Sequence, residues 1–305
     1  MQTERFRIKI EDINQKNSEN IYKFVSRGED AYIEQVREIA NEISIFNKKI
    51  ILVTGPSSAG KTTSSSKIKQ ELEKLNISSY VLNMDDFFND LDTVPLREDG
   101  KPDMEGIVAL DVECVRNCLR DILDNKTVTI PKFDFKTHKR TTETSSYTPR
   151  KNEVIIMEGI HALNPQISEG LDESKLYKVY VHCNTDFTFN EKVILPAREL
   201  RLLRRITRDE RTRHTPILET LELWKDVCIG EEKNIRPYKI QANYLLNSTH
   251  FYEPLLYKEI LLPKFEELED NPIIYSFLEK FRVFSMVSIN FIPEDSLVRE
   301  FIGEN

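Results

Sequence analysis

This chain has few cysteines, no long apolar run and no excess of basic residues. Its four cysteines are scattered, which favours reduced thiols over a disulfide framework or a metal site: Cys114, Cys118, Cys183 and Cys228. No apolar run approaches the roughly 18 residues of a membrane span, and the N-terminus has no signal-peptide core, so we expect a cytoplasmic protein without a membrane partner. The formal net charge of −8 argues against general nucleic-acid binding.

Apolar strands that alternate with helices make up most of the sequence. We predict strands at 50–53, 79–83, 127–131, 153–157 and 178–182, and helices at 30–46, 63–72 and 112–123. Strands that are apolar throughout and separated by helices are typical of a parallel sheet covered on both faces. The predicted fold is therefore α/β, with a parallel five-stranded sheet flanked by helices.

A phosphate-binding motif lies between the first predicted strand and the helix that follows it. The candidate nucleotide-binding residues are Gly55, Pro56, Ser57, Ser58, Ala59, Gly60, Lys61, Thr62 and Thr63. The glycines let backbone N–H groups turn toward phosphate oxygens, and the helix N-terminus adds partial positive charge. Lys61 would reach the β- and γ-phosphates, and the Thr62 hydroxyl would bind Mg²⁺. We therefore expect a P-loop fold that binds a nucleoside triphosphate.

Carboxylates follow two of the predicted strands. Asp85 and Asp86 come after strand 79–83, and Glu158 ends strand 153–157. Because ligands gather at the carboxyl ends of strands in an open parallel sheet, these acids should face the phosphate site. A carboxylate there can accept a proton from an attacking hydroxyl or hold Mg²⁺. The alternative for the Asp pair is a turn or helix cap.

Two further segments are rich in chemistry-bearing side chains. Phe133, Phe135 and His138 could hold a nucleobase and fix a hydroxyl, or they could be core and surface residues of a hairpin. Residues 201–213 contain six arginines inside an acidic protein. Arginines that close over a triphosphate neutralise the transferring group, whereas salt bridges with Asp209 and Glu210 are the alternative for some of them. We expect two or three of the six to be functional.

In this order, the motifs resemble the uridine kinase/phosphoribulokinase family. The resemblance covers residues 48–262 and rests on the P-loop, Asp85-Asp86-Phe87-Phe88, Phe133-Asp134-Phe135 with His138 and Arg140, Glu158-Gly159-Ile160 and the arginine-rich helix. The tail at 293–303 is also similar to that of bacterial members. The resemblance implies three regions: an N-terminal helical extension at 1–47, a P-loop kinase domain with a helical arginine-rich lid at 48–265, and a C-terminal extension packed on the core at 266–305. In that extension we predict a helix at 275–281, a strand at 283–292 and a terminal helix from Asp295.

The resemblance also implies roles for individual residues. It gives Asp85 as the catalytic base, with Lys61, Arg205 and Arg208 also catalytic. It implies a magnesium site formed by Thr62, Asp85 and Glu158. The implied substrate residues are Glu105, Phe133, Phe135, His138, Arg205 and Arg213.

The implied activity is phosphorylation of the 5′-hydroxyl of a pyrimidine nucleoside, uridine or cytidine, by ATP or GTP with Mg²⁺. The chain departs from the family pattern at Ser58-Ala59, at Glu105 and Phe133, which replace Asp and Tyr, and near Leu223-Trp224, where a base-contacting Gln is missing. Two alternatives stay open: a kinase for another small alcohol, such as a sugar phosphate or pantothenate, and a non-catalytic nucleotide-binding regulator. A GTP-driven switch is disfavoured because the sequence has no Asn-Lys-x-Asp motif. A homo-oligomer is compatible with the sequence.

Overall fold

The computed structural model describes residues 5–303. Within this range the helices are α1 (Ile10–Glu19), α2 (Ile21–Ile45), α3 (Lys61–Lys74), α4 (Val112–Leu123), α5 (Pro165–Ser168), α6 (Ala197–Arg213), α7 (Ile217–Asn234), α8 (Glu253–Glu266), α9 (Pro272–Phe281) and α10 (Arg299–Ile302). The strands are β1 (Phe6–Lys9), β2 (Ile50–Thr54), β3 (Ser79–Asn83), β4 (Val128–Ile130), β5 (Phe133–Asp134), β6 (Lys139–Arg140), β7 (Ser145–Tyr147), β8 (Val154–Glu158), β9 (Leu176–His182), β10 (Thr185–Phe189), β11 (Lys192–Leu195) and β12 (Tyr244–Asn247). None of the helices described is long and apolar enough to cross a membrane.

A five-stranded parallel sheet forms the centre, with the order β12-β9-β2-β8-β3. This confirms the predicted α/β fold. Alternate residues of β2 enter different cores: Ile50 and Leu52 pack with α4, and Ile51 and Val53 pack with α2 and α3. The P-loop follows the central strand of this sheet, so the carboxyl ends of β3, β8 and β9 surround it.

The strand predicted at 127–131 is confirmed, but it does not belong to the central sheet. Residues 128–130 form β4, which pairs antiparallel with β7 outside the central sheet, and the fifth central strand is β12. The middle residue of β4 is exposed, whereas β2 and β8 are buried throughout. The segment therefore has the alternating burial of a surface hairpin, which its short length hid in the sequence.

The N-terminal region is not purely helical. β1 pairs in parallel with β10, and β11 completes a second, three-stranded sheet that the sequence did not indicate. The predicted helix at 30–46 is the second part of α2, which begins at Ile21 after the N-cap side chain of Asn20. Residues 1–4 of the predicted extension lie outside the described residues.

The predicted strand at 283–292 is wrong. Its backbone is satisfied by other elements: Ser285 N–H donates to Asn14 Oδ1 (2.9 Å), Val287 N–H to the Leu255 carbonyl (3.3 Å) and Ile289 N–H to a Glu259 carboxylate oxygen (3.0 Å). No strand is needed to pair these groups. The helix predicted from Asp295 is shorter than expected and begins at Arg299. Residues 304–305 lie outside the described range.

Candidate active site

The P-loop connects β2 to α3 in a backbone shape that side chains would obstruct. A Cβ atom at Gly55 would lie 2.1 Å from the Val181 carbonyl oxygen. Gly60 has φ +88° in the left-handed region, and a Cβ atom there would lie 2.8 Å from Leu297 Cδ1. Ser58 also has a positive φ of 58°, which is uncommon for a residue with a side chain. The loop therefore has the tight turn that points backbone amides at an anion.

Lys61 is the first residue of α3 and is half-buried. Its ammonium group lies 3.4 Å from the Pro56 carbonyl oxygen. Burial lowers the pKa of Lys61, while the carboxylates of Glu158, Glu300 and Asp85 oppose that shift. A lysine faced by acids on several sides occupies a polar cleft that can hold a multiply charged ligand with its counter-ions.

Thr62 and Glu158 bring the ends of α3 and β8 together. The Thr62 hydroxyl donates to Glu158 Oε1 at 2.9 Å. Burial raises the pKa of Glu158, the Lys61 ammonium and the Thr62 hydrogen bond oppose that shift, and nearby Asp85 and Glu300 add to it. Mg²⁺ binds to proteins through one or two carboxylates plus waters and phosphates, so a hydroxyl with adjacent carboxylates fits it. Residues 5–303 contain no group of three or more His, Cys, Asp or Glu side chains that could cage a metal alone.

Asp85 and Asp86 lie in a short 3₁₀ helix at Met84–Phe87. Burial raises the pKa of Asp85, which is influenced next by Lys61 and also by Arg213. Burial also raises the pKa of Asp86, but its other influences are Lys132 and the backbone N–H of Phe133. The two carboxylates therefore face different sides, and it is Asp85 that faces the P-loop lysine.

The predicted arginines of α6 converge on one buried acid, Asp209. Asp209 accepts ion pairs from Arg205 (3.1 Å), Arg208 (2.9 Å) and Arg213 (3.4 Å). Arg205 also donates to the Ser57 hydroxyl at 3.0 Å, which links the helix to the P-loop. Burial lowers the pKa of Arg205 and of Arg213. Three guanidinium groups are thereby gathered beside the phosphate-binding loop.

Two other arginines of α6 hold the P-loop in place by donating hydrogen bonds to its backbone carbonyls. Arg201 donates to the Ser57 carbonyl (3.1 Å) and pairs with buried Glu231. Arg204 is fully buried, forms a bidentate pair with Glu253 and donates to the Ser58 carbonyl at 3.3 Å. Sequence analysis did not separate these residues from the others. The available signal was that Arg204 follows the apolar residues at 200 and 203 on the buried side of the helix.

Glu105, a predicted substrate residue, packs against helix α7. A Cβ atom added to Gly230 would lie 2.8 Å from Glu105 Cβ, and Asn234 donates to the Glu105 carbonyl at 2.8 Å. Burial raises the pKa of Glu105, while Arg205 and Lys61 oppose the shift. The electrostatic influence of these two cations places the carboxylate in the same cleft as the P-loop.

Of the three predicted substrate residues at 133–138, the two phenylalanines contact each other, whereas the histidine is exposed in a turn. Phe133 is buried against Phe88, with 5.6 Å between ring centroids, and exposed Phe135 meets Phe133 edge-on at 5.0 Å. His138 lies exposed in the turn between β5 and β6, with φ 54°. Arg140 donates to the Phe87 and Phe88 carbonyls and to Asp111, so it fixes the segment after Asp86.

Sequence analysis missed Glu300 of the C-terminal tail. Its Oε2 atom accepts hydrogen bonds from the backbone N–H (3.2 Å) and the hydroxyl (2.7 Å) of Thr63 in α3. No local pattern signals such a contact, since 237 residues separate the two partners.

Several known proteins are similar to this chain. Residues 50–250 match the model of the phosphoribulokinase / uridine kinase family. The uridine kinase of Ligilactobacillus salivarius is 33% identical over 181 residues, covering 59% of this chain and 75% of that protein. The uridine kinase of Staphylococcus epidermidis is 29% identical over 199 residues, covering 65% and 86%. A possible uridine kinase from Bacillus stearothermophilus superposes with a TM-score of 0.47 at 18% identity, covering 70% and 97%. The chain therefore belongs to the phosphoribulokinase/uridine kinase family, and it is a P-loop phosphotransferase whose acceptor is an alcohol.

Proposed function

We propose that this protein phosphorylates the 5′-hydroxyl of a pyrimidine nucleoside, uridine or cytidine, using ATP or GTP with Mg²⁺. The observation that carries the proposal is the convergence of Lys61, the Thr62–Glu158 pair and Asp85 at one end of the parallel sheet. The relatives named uridine kinases support the nucleoside as acceptor. ATP is the donor typical of the family, and GTP is the alternative.

The donor phosphates would bind along the P-loop. The free N–H groups at the start of α3 would hold phosphate oxygens, and Lys61 would neutralise charge between the β- and γ-phosphates. Thr62, Glu158 and Asp85 would hold Mg²⁺ directly or through water. The ion, when bound, supplies electrostatic stabilisation of the charge on the transferring phosphoryl group.

Asp85 would act on the acceptor. A primary alcohol is a weak nucleophile at neutral pH, so a carboxylate that takes its proton as the oxygen–phosphorus bond forms accelerates the step. The raised pKa of Asp85 brings its basicity closer to that of a working general base. Arg205, Arg208 and Arg213 would stabilise the transferring group from the opposite side.

The acceptor would lie between Glu105 and the aromatic hairpin. Glu105 would accept hydrogen bonds from the ribose hydroxyls, and the edge of the Phe133–Phe135 pair would contact the base. Because Phe133 packs on Phe88, the exposed ring of Phe135 offers the larger free face. His138, which is exposed in the turn between β5 and β6, would approach the nucleoside from that turn.

The test is a panel of acceptors. Purified protein is incubated with Mg-ATP or Mg-GTP and with nucleosides, sugar phosphates or pantothenate, and the products are read by phosphorus NMR for ADP or GDP and a new phosphomonoester. Uridine or cytidine should give the 5′-monophosphate, and Lys61→Ala should lower turnover by at least ~10²-fold. Turnover of another alcohol alone would replace the pyrimidine assignment. Nucleotide binding without any product would favour a regulator.

A further inference from the structure

The C-terminal tail, defined here as residues 293–303, lies directly on the P-loop and α3. Leu297 packs against Gly60, and Asp295 pairs with the α3 side chain of Lys67 at 2.6 Å. Ser296, Leu297 and the residues that follow through Ile302 are buried or half-buried. The tail is therefore an integral wall of the nucleotide region.

Within the tail, the Glu300 carboxylate accepts a hydrogen bond from a backbone N–H that a bound anion would also use. The N–H of Ser64 already donates to the Gly60 carbonyl, so the amides that lack a partner within the helix are those of Lys61, Thr62 and Thr63. Glu300 Oε2 accepts from the Thr63 N–H at 3.2 Å and from its hydroxyl at 2.7 Å. A carboxylate thus holds one of the amides that the start of a P-loop helix offers to phosphate.

The charge of Glu300 also reaches the rest of the site. It opposes the lowering of the Lys61 pKa and adds to the raising of the Glu158 pKa. A nucleotide phosphate and the Glu300 carboxylate are both anions, and they cannot accept the same Thr63 N–H in one geometry. Binding of the phosphate therefore requires the carboxylate to move or to lose its bond.

The tail has anchors that would respond to such a movement. Phe301 lies 4.8 Å from the Arg204 guanidinium, which itself donates to the Ser58 carbonyl of the P-loop. Arg299 donates to the Ile292 and Pro293 carbonyls and holds the turn that precedes the tail helix. Phe301 is thus coupled to the P-loop through Arg204, while Arg299 holds the tail against the segment that precedes it.

We propose that Glu300 is a determinant of nucleotide affinity that acts as an internal competitor, so that a bound nucleotide displaces its carboxylate from Thr63 and loosens the tail. This inference rests on the proposed binding of a nucleoside triphosphate at the P-loop. It adds a residue outside the matched region 50–250 to the control of the site.

Calorimetric titration with Mg-ADP tests the competition in the full chain. Glu300→Gln keeps the shape and a weaker acceptor for the Thr63 hydroxyl but removes the charge, so the Kd for Mg-ADP should fall by about five- to tenfold. Glu294→Gln is the matched control, since it removes one charge from an exposed position of the same tail and should leave the Kd unchanged. In the wild-type protein, hydrogen exchange of residues 297–302 should become faster when Mg-ADP is added.

The outcomes separate the two claims. A wild-type protein that binds Mg-ADP while Glu300→Gln binds equally or more weakly would show that the tail does not compete, and the proposed function would stand. A tail that becomes more protected on binding would also overturn the inference, because it would then complete the site. If neither protein binds Mg-ADP at millimolar concentration, both proposals are wrong. Melting temperatures of both variants within a few degrees of wild type exclude misfolding as the cause.

Discussion

At the scale of single residues, Asp85 and Asp86 show how the local backbone conformation determines which carboxylate faces Lys61. Sequence alone suggests an extended segment in which neighbours point to opposite sides. The segment is a 3₁₀ helix instead, and the two acids diverge because a turn of about three residues also separates neighbouring side chains. The choice of Asp85 as the acid near the phosphates came from the family resemblance, and its proximity to Lys61 supports that choice.

Asparagine substitutions at both positions test the assignment. Asp85→Asn removes the basicity with little change in shape, so kcat should fall by about 10²–10⁴-fold. Asp86→Asn should change kcat only mildly, since Asp86 interacts with the segment at 132–133. Steady-state kinetics give kcat, and calorimetry shows whether the nucleotide still binds. An active Asp85→Asn protein beside an inactive Asp86→Asn protein would reverse the two roles.

The tight turn of the P-loop and the position of Glu158 at the end of β8 were predictable, because a short motif or a strand end specifies each of them. Contacts were not predictable where the partner is distant in sequence. Arg204 and Glu253 form a buried pair 49 positions apart, and sequence analysis grouped Arg204 with the lid arginines. The density of arginine marks the helix in the sequence, but only burial separates Arg201 and Arg204, which donate to P-loop carbonyls, from the exposed arginines at 211 and 213.

At the scale of elements, α6 carries both kinds of arginine. Arg213 is half-exposed, so its pair with Asp209 contributes little to stability, on the order of 0–1 kcal/mol. We expect Arg213→Ala to lower kcat at least ~10-fold while the melting temperature stays within a few degrees. Arg211→Ala removes an exposed arginine from the same helix and should leave kcat unchanged. Early melting of Arg213→Ala with normal turnover in the folded protein would assign Arg213 a structural role.

In helix α7, substitution of its only glycine, Gly230, tests the proposed contact between Glu105 and the acceptor. Alanine there favours the helix by about 1 kcal/mol, but its Cβ would lie 2.8 Å from Glu105 Cβ and would push that side chain away. The KM for the nucleoside should rise several-fold, while the KM for ATP stays unchanged. Ile229→Ala changes an exposed neighbour and serves as the control. Equal KM values for Gly230→Ala and wild type would remove Glu105 from the acceptor site.

The sequence predicted four strands of the central sheet but not β1, β10, β11 or β12. β2, β8 and β9 are buried throughout and were predicted within two residues, and the partly exposed edge strand β3 was predicted at its observed bounds. β12 has only one fully buried residue of four, and its place in the sheet comes from pairing with β9. β1 lies 179 positions from its partner β10, which no local pattern can reveal.

At the scale of the whole molecule, residues 5–47 and 266–303 both pack on the rest of the described chain. β1 adds a strand beside β10, and the tail covers the P-loop. The side chains of Asn14 and Glu259 accept hydrogen bonds from the backbone N–H groups of Ser285 and Ile289, in the segment that precedes the tail. The prediction that the C-terminal extension packs on the core specified neither its path nor its contact with Thr63. Long-range contacts of this kind form between surfaces that exist only in the folded protein, so local sequence patterns do not predict them.

Two of the buried histidines, His161 and His182, give a prediction for stability against pH. Burial lowers the pKa of His161 to about 4. Burial, together with Lys239, Arg201 and Arg5, lowers the pKa of His182 to about 3. As the pH falls below the ordinary histidine pKa of about 6.5, the unfolded chain binds protons that the folded protein does not. The free energy of unfolding should therefore fall with decreasing pH, by up to about 1.4 kcal/mol per pH unit for each histidine.

Urea unfolding at intervals between pH 7 and 5 measures this slope. Replacing the buried side chain in His161→Asn should lower the overall free energy of unfolding. Because one titrating group is removed, the dependence of that free energy on pH should become shallower by roughly half. The carboxylates with raised pKa values, Asp85, Glu105 and Glu158, contribute with the opposite sign, since the folded protein binds their protons more readily. Their effect is confined mainly to the acidic end of the range. An unchanged slope in His161→Asn, or a His161 NMR signal that titrates near pH 6.5 in the folded protein, would show that this histidine is not buried in the neutral form.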